Sequence, residues 1–313
     1  MRIKELDYLK CMLIMLMVAF HLVYIGDSYP MAKKVVYTFH MPAFLLISGY
    51  LTNVNKKARE FARSMFWIFV PYALMEMGYT YMASLLPVRE NVEGMSALLM
   101  LKNIFISPIG PYWYLHTLVL CSTAYYIIYN KCPFHKKESL HIILGLCLYA
   151  LSCCSLLSFG NAIYYLIGVI IRKYDISFMK VFPSSWFALV PFILLCSYQD
   201  NLDRATLGGI AVTYCAIGIL GNLHGMLPAT IKSLSYFVGR NTFVILLFSP
   251  IFTFISKYAL PAFSFDPSGL CFMACAILAT ICGCMSIAYC CDKLHISKLF
   301  FGKKVVLSPF SLK

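Results

Sequence analysis

The chain has 313 residues, 61% of them hydrophobic and 12% charged, with a formal net charge of +13 at pH 7 and a mean hydropathy of +0.77. A globular protein carries about 25% charged residues, so this composition excludes a soluble enzyme and defines a polytopic membrane protein. The basic excess is then first an orientation signal of membrane loops, and a nucleic-acid partner is not expected.

A transmembrane helix needs about 20 apolar residues. On that measure the sequence predicts an all-α bundle of ten transmembrane helices, over residues 8–26, 33–52, 65–86, 112–130, 140–158, 160–172, 184–199, 205–222, 240–256 and 268–291. With the N-terminus inside, six of the 26 Lys and Arg fall outside (Lys33, Lys34, Arg89, Lys102, Arg204 and Lys257) and the other twenty fall inside. Both termini are therefore expected in the cytoplasm, and residues 1–313 read as a single integral-membrane domain. The first apolar run lacks a small-residue cleavage site before "GDSYP", so it stays as a span rather than a signal peptide. The 14 cysteines show no paired C-x₂-C spacing of a zinc site and read as small packing residues, with no metal expected.

Polar side chains at membrane depth carry the information, because each is costly there unless it faces a cavity or a partner. They are His21, His40, Glu76, His116 and Asn241, the three histidines falling toward the outer half. His135, His141, His224 and His295 are expected at cytoplasmic ends. Lys10 and His21 are eleven residues apart, about three turns of helix, which places them on one stripe about 16 Å apart along the axis. Asp7 shares that stripe, three residues before Lys10. A cation at the inner rim and a base deep in the membrane suit a long substrate with an anionic head and a reactive far end; a snorkelling anchor is the alternative for Lys10.

In the second predicted span, His40 precedes Pro42, whose missing N–H frees a carbonyl inside protein. Ser48 and Gly49 then permit close helix approach or a narrow passage. Glu76 lies mid-span and should pair rather than face lipid. Trp113 and Tyr114 sit at an outer edge, where an aromatic belt and a sugar-stacking platform are both open readings. The stretch from Pro87 to Pro111 suggests an outer loop or re-entrant piece over the site.

Several motifs resemble the acyltransferase 3 family of membrane O-acyltransferases. They are the K-x₁₀-H from Lys10 to His21 after "LDYLK", "FHMPAFLLISGY" at 39–50, Arg63 with "VPY" at 70–72, "WYLHTL" at 113–118 and "FVGRNTF" at 237–243. The matches keep the family's order, whereas the histidine that family members often carry after the last motif is replaced here by Phe248 and Ser249. The resemblance implies transfer of an acyl group, acetyl from acetyl-CoA, onto a hydroxyl of a cell-surface or secreted polysaccharide. It implies His21 and His40 as catalytic residues, Lys10, Arg59, Arg63 and Ser48 as donor-binding, and Trp113, Tyr114 and His116 as acceptor-binding, with Asp7, Glu76 and Asn241 in support. The expected partners are the acyl-CoA donor, the glycan, the bilayer and the polysaccharide biosynthesis machinery, with no permanently bound cofactor. A proton-coupled secondary transporter of a glycan or small molecule is the alternative, against which stand the lack of matching halves and the clustering of ionisable residues in the first four spans.

Overall fold

The stripe from Lys10 to His21 folds as one uninterrupted helix and stops there. In the computed structural model, which describes residues 2–85, 94–134 and 136–310, α1 covers Lys4–His21 and Leu22 turns extended at φ −68°, ψ 111°. The His21 imidazole binds the Met17 carbonyl in the last turn, an end-of-helix interaction that basic side chains supply well. The chain resumes as α2 (Val23–Ser28), so the first predicted span is two helices rather than one.

The described residues form helices joined by turns and loops, with no strand among them. After α1 and α2 come α3 (Pro30–Leu51), α4 (Ala58–Leu85), α5 (Ala97–Phe105), α6 (Trp113–Lys131), α7 (Lys137–Cys153), α8 (Phe159–Lys173) and α9 (Phe178–Val181). They continue with α10 (Leu189–Cys196), α11 (Leu207–Met226), α12 (Ala229–Arg240), α13 (Thr242–Ser256), α14 (Leu270–Lys293) and α15 (Ile296–Phe301). Each of the ten predicted stretches contains helix. Among the described residues, four segments are long and apolar enough to cross a membrane: Ala97–Lys131, Leu207–Met226, Thr242–Phe263 and Leu270–Lys293. The remaining predicted spans include α1, with Lys4, Glu5, Asp7 and Lys10 on it, and α7, α8 and α10, which run for only 17, 15 and 8 residues. Pro87, Arg89 and His135 lie outside the described residues.

The chain packs as two compact units, one of Met1–Phe44, Met179–Leu299 and Lys303–Lys313, the other of Leu45–Phe178 and Phe300–Gly302. In the first, α1 packs on α12 through backbone contact: a Cβ added at Gly239 would lie 1.7 Å from the Asp7 carbonyl oxygen. Only glycine allows that approach, which gives the glycine of "FVGRNTF" a packing role. Pro42 sits inside α3, and the carbonyl it frees on Thr38 is met by the Thr213 hydroxyl of α11 at 3.5 Å. The freed backbone group is thus answered by protein, as membrane depth requires.

In the second unit, the C-terminal end of α3 crosses α8 with equal closeness. A Cβ at Gly49 would stand 2.1 Å from the Tyr165 carbonyl oxygen, and one at Gly168 would stand 2.0 Å from that of Leu46. The small residues of "ISGY" therefore set a helix crossing, and their neighbour Ser48 is held at it.

Candidate functional site

Three polar clusters form around the residues singled out by sequence, two in the first unit and one in the second. The first begins at Asp7, which is 5% exposed and accepts from two cations, Arg2 Nε at 2.6 Å and Lys10 Nζ at 2.9 Å. Two cations on one carboxylate leave a local excess of one positive charge. Beside it the Tyr8 ring lies 4.9 Å from the His224 ring, and His224 Nε2 is 2.7 Å from the Tyr236 hydroxyl. Burial, then the charges of Glu5 and Asp7, pushes the Tyr236 phenol up, which keeps it a neutral hydroxyl. Lys10 is thus fixed by a partner rather than snorkelling alone.

The second cluster holds both predicted catalytic histidines. His21 Nδ1 lies 2.7 Å from the Met17 carbonyl oxygen, and His40 Nδ1 lies 2.7 Å from that of Val36. A carbonyl only accepts, so Nδ1 carries the proton in each ring and the neutral imidazole keeps its lone pair on Nε2. His40 is 3% exposed and its Nε2 has no hydrogen-bond partner among the described residues. Between the two rings stands Tyr37, 5.9 Å from His21 and 5.2 Å from His40 by ring centroids, with its hydroxyl donating to the Phe20 carbonyl at 3.2 Å. Lys33 Nζ lies 5.8 Å from the Tyr37 centroid and 3.9 Å from Asp27 Oδ1. Arg204 lies close enough to His40 to act on it electrostatically. Sequence reasoning missed Tyr37, Lys33 and Arg204. Tyr37 had a legible signal, since it sits one turn before His40 on the same helix face; Arg204 had none, because a long connection brings it near.

The second unit joins Ser48 to Tyr114, whose hydroxyl oxygens are 2.8 Å apart. Tyr114 is buried and Trp113 half-buried. Arg59 and Arg63 are exposed on the first turns of α4.

Three expected site residues turn out to be engaged by backbone. Glu76, fully buried, accepts from the Ile109 N–H at 2.7 Å through Oε1 and so ties α4 to the turn before Trp113. His116 Nε2 lies 3.0 Å from the Phe105 carbonyl oxygen, holding α5 against α6. Asn241 donates to the Phe237 carbonyl and accepts from the Ser308 N–H, both at 2.8 Å, which pins the C-terminal segment to the end of α12.

Helices without strands among the described residues, with this apolar composition and ionisable groups paired in the interior, define a membrane protein. Residues 3–289 match the family model described as an acyltransferase domain, so the chain belongs to the acyltransferase 3 family and is a membrane acyltransferase. No curated protein and no solved structure matches it.

Proposed function

We propose that this protein is a multi-pass O-acyltransferase of the cell membrane that moves an acetyl group from acetyl-CoA onto a hydroxyl of a cell-surface or secreted polysaccharide. The family match supports acyl transfer, and the observation that carries the mechanism is the matched pair of imidazoles, His21 and His40, each with Nδ1 bound to a carbonyl one turn back. A sugar hydroxyl is a weak nucleophile near neutral pH, and a nitrogen base placed against it is the natural remedy.

In this reading His21 Nε2 takes the hydroxyl proton as the sugar oxygen forms its ester bond to the acyl carbon. The carbon–sulfur bond of the donor breaks, and the proton passes on to the leaving thiolate. Tyr37 holds both rings in place, and His40 supplies a second base behind the first. The donor would enter from the inner side, where the positive excess around Asp7 favours its phosphates. The ten-span topology with both termini inside gives this direction its meaning, and the length of α1 from Lys10 to His21 is comparable to a pantetheine arm.

The test is twofold. Purified protein in liposomes should consume acetyl-CoA in the presence of glycan acceptor, and proton NMR of surface glycan should lose O-acetyl signals when the gene is removed. Unchanged acetyl-CoA together with an unchanged spectrum under confirmed expression would overturn the proposal in favour of a transporter or scaffold.

A further inference from the structure

Within the second unit, and apart from the Ser48–Tyr114 pair, the start of α7 and the end of α8 gather three cations. Lys137 is the first residue of α7, and Arg172 and Lys173 are the last two of α8. Lys137 Nζ donates to the Lys173 carbonyl oxygen at 2.8 Å, which joins the two helix ends. Each cationic head rests on a tyrosine face. Lys173 Nζ is 4.5 Å from the Tyr129 centroid, Lys137 Nζ is 5.7 Å from that of Tyr174, and the Arg172 guanidinium carbon is 5.6 Å from that of Tyr50.

None of the three forms an ion pair among the described residues. Lys137 and Arg172 repel Lys173, with Asp175 the one attracting acid, while Glu138 accepts the Tyr174 hydroxyl at 2.9 Å. Three cations beside two acids, Asp175 and Glu138, leave an excess of positive charge that an anion would offset.

His141 packs beside the same cluster. It is 8% exposed and lies between Tyr129 and Tyr174, at 5.9 and 5.5 Å by ring centroids, the two rings on which Lys173 and Lys137 rest. Its Nδ1 is hydrogen-bonded to the Tyr129 hydroxyl, and its Nε2 is buried with no partner among the described residues. The His141–Tyr129 bond ties α7 to α6 beside the two lysines.

We propose that the joined ends of α7 and α8 form a phosphate-binding site, in which Lys137, Arg172 and Lys173 hold the phosphate and Tyr129 and Tyr174 flank the body that carries it. A phosphate supplies what the cluster lacks: counter-charge and acceptor oxygens for the three cations. Two sources carry that chemistry, the headgroup of an anionic phospholipid and a nucleotide phosphate. Basic pockets between membrane helices suit the first, and tyrosine faces beside cations suit a nucleobase in the second. The site rests on geometry alone and stands or falls separately from the proposed acyl transfer.

The test uses the full-length protein in uncharged detergent, with two probes. Native mass spectrometry compares retention of phosphatidylglycerol with that of phosphatidylcholine, and equilibrium dialysis measures adenosine 3′,5′-bisphosphate. Lys137→Gln/Lys173→Gln should weaken binding of one probe at least tenfold, and Lys137→Arg/Lys173→Arg should retain it. The single variant Arg172→Gln, at an exposed side chain, gives the same reading with little risk to folding. Loss confined to the lipid probe assigns a headgroup site, and loss confined to the bisphosphate assigns a nucleotide site. Binding of neither probe by the unaltered protein, or equal binding by unaltered and Gln proteins in both arms, overturns the proposal.

Discussion

His40 donates Nδ1–H to the carbonyl of Val36, 2.7 Å away and one turn back on the same helix, and its Nε2 remains buried without a hydrogen-bond partner among the described residues. An orphaned buried nitrogen is costly, so such a group persists where function uses it. His40→Ala is expected to lower acyl transfer at least tenfold while membrane expression and monodispersity stay at the unaltered level. Loss of expression in step with activity would instead assign His40 to packing.

Lys10 is bound to Asp7, which Arg2 also contacts, so its removal leaves the carboxylate paired once. Lys10→Gln should raise the acetyl-CoA concentration needed for half-maximal transfer, with a smaller effect at saturating donor, because uniform binding is what a phosphate contact supplies. Lys10→Arg should keep most of the function, since the charge survives. An unchanged donor curve for the Gln variant, in membranes of matched expression, would remove Lys10 from the site.

The stripe of Asp7, Lys10 and His21 was legible because it depends only on helical spacing, and α1 is indeed helical from Lys4 to His21. The small residues at Ser48 and Gly49 were legible as a helix contact for a similar reason, since only residues of that size admit a neighbouring backbone. The partners of Glu76, His116 and Asn241 were not, because each meets a backbone N–H or carbonyl that any residue would supply. The break at Leu22 was also hidden, since no glycine or proline marks it. Tyr37 shows the opposite failure: its spacing from His40 was plain, but an interior tyrosine looks like packing until both histidine rings are seen beside it.

Glycine packing gives a test of the fold that is separate from chemistry. A Cβ at Gly49 meets the Tyr165 carbonyl oxygen at 2.1 Å, whereas one at Gly78 on α4 meets nothing within 4 Å. Gly49→Ala should destabilise the protein by about 1–3 kcal/mol through overpacking. Gly78→Ala should be neutral, or stabilising by up to about 1 kcal/mol through helix propensity. Thermal unfolding in detergent checks both, and equal midpoints for the two variants would contradict the helix crossing.

Asp266 sits ahead of α14 and accepts from the Ser268 hydroxyl at 2.5 Å and N–H at 3.0 Å, and from the Cys271 N–H at 2.7 Å. The Ser268 hydroxyl foremost, then the Cys271 amide, lowers its carboxyl from 3.8 to about 2. A depressed native value means the stabilisation is complete above 3.8 and is lost as pH falls through about 2. Unaltered protein should therefore unfold at a higher temperature than Asp266→Asn at pH 6, with the gap closing between pH 4 and pH 2. A gap that does not change with pH would place the effect elsewhere.

His21→Ala bears most directly on acyl transfer by a positioned base. Measured as acetyl-CoA-dependent O-acetylation of glycan by purified protein in liposomes at saturating donor, the rate should fall by about 10²–10⁴-fold, the usual contribution of a general base. Removing the imbalance of charge or packing should not reproduce that loss, so protein of unchanged monodispersity and unfolding temperature is part of the expected result. Transfer by His21→Ala at a rate near that of the unaltered protein would contradict the assignment of His21 as the base.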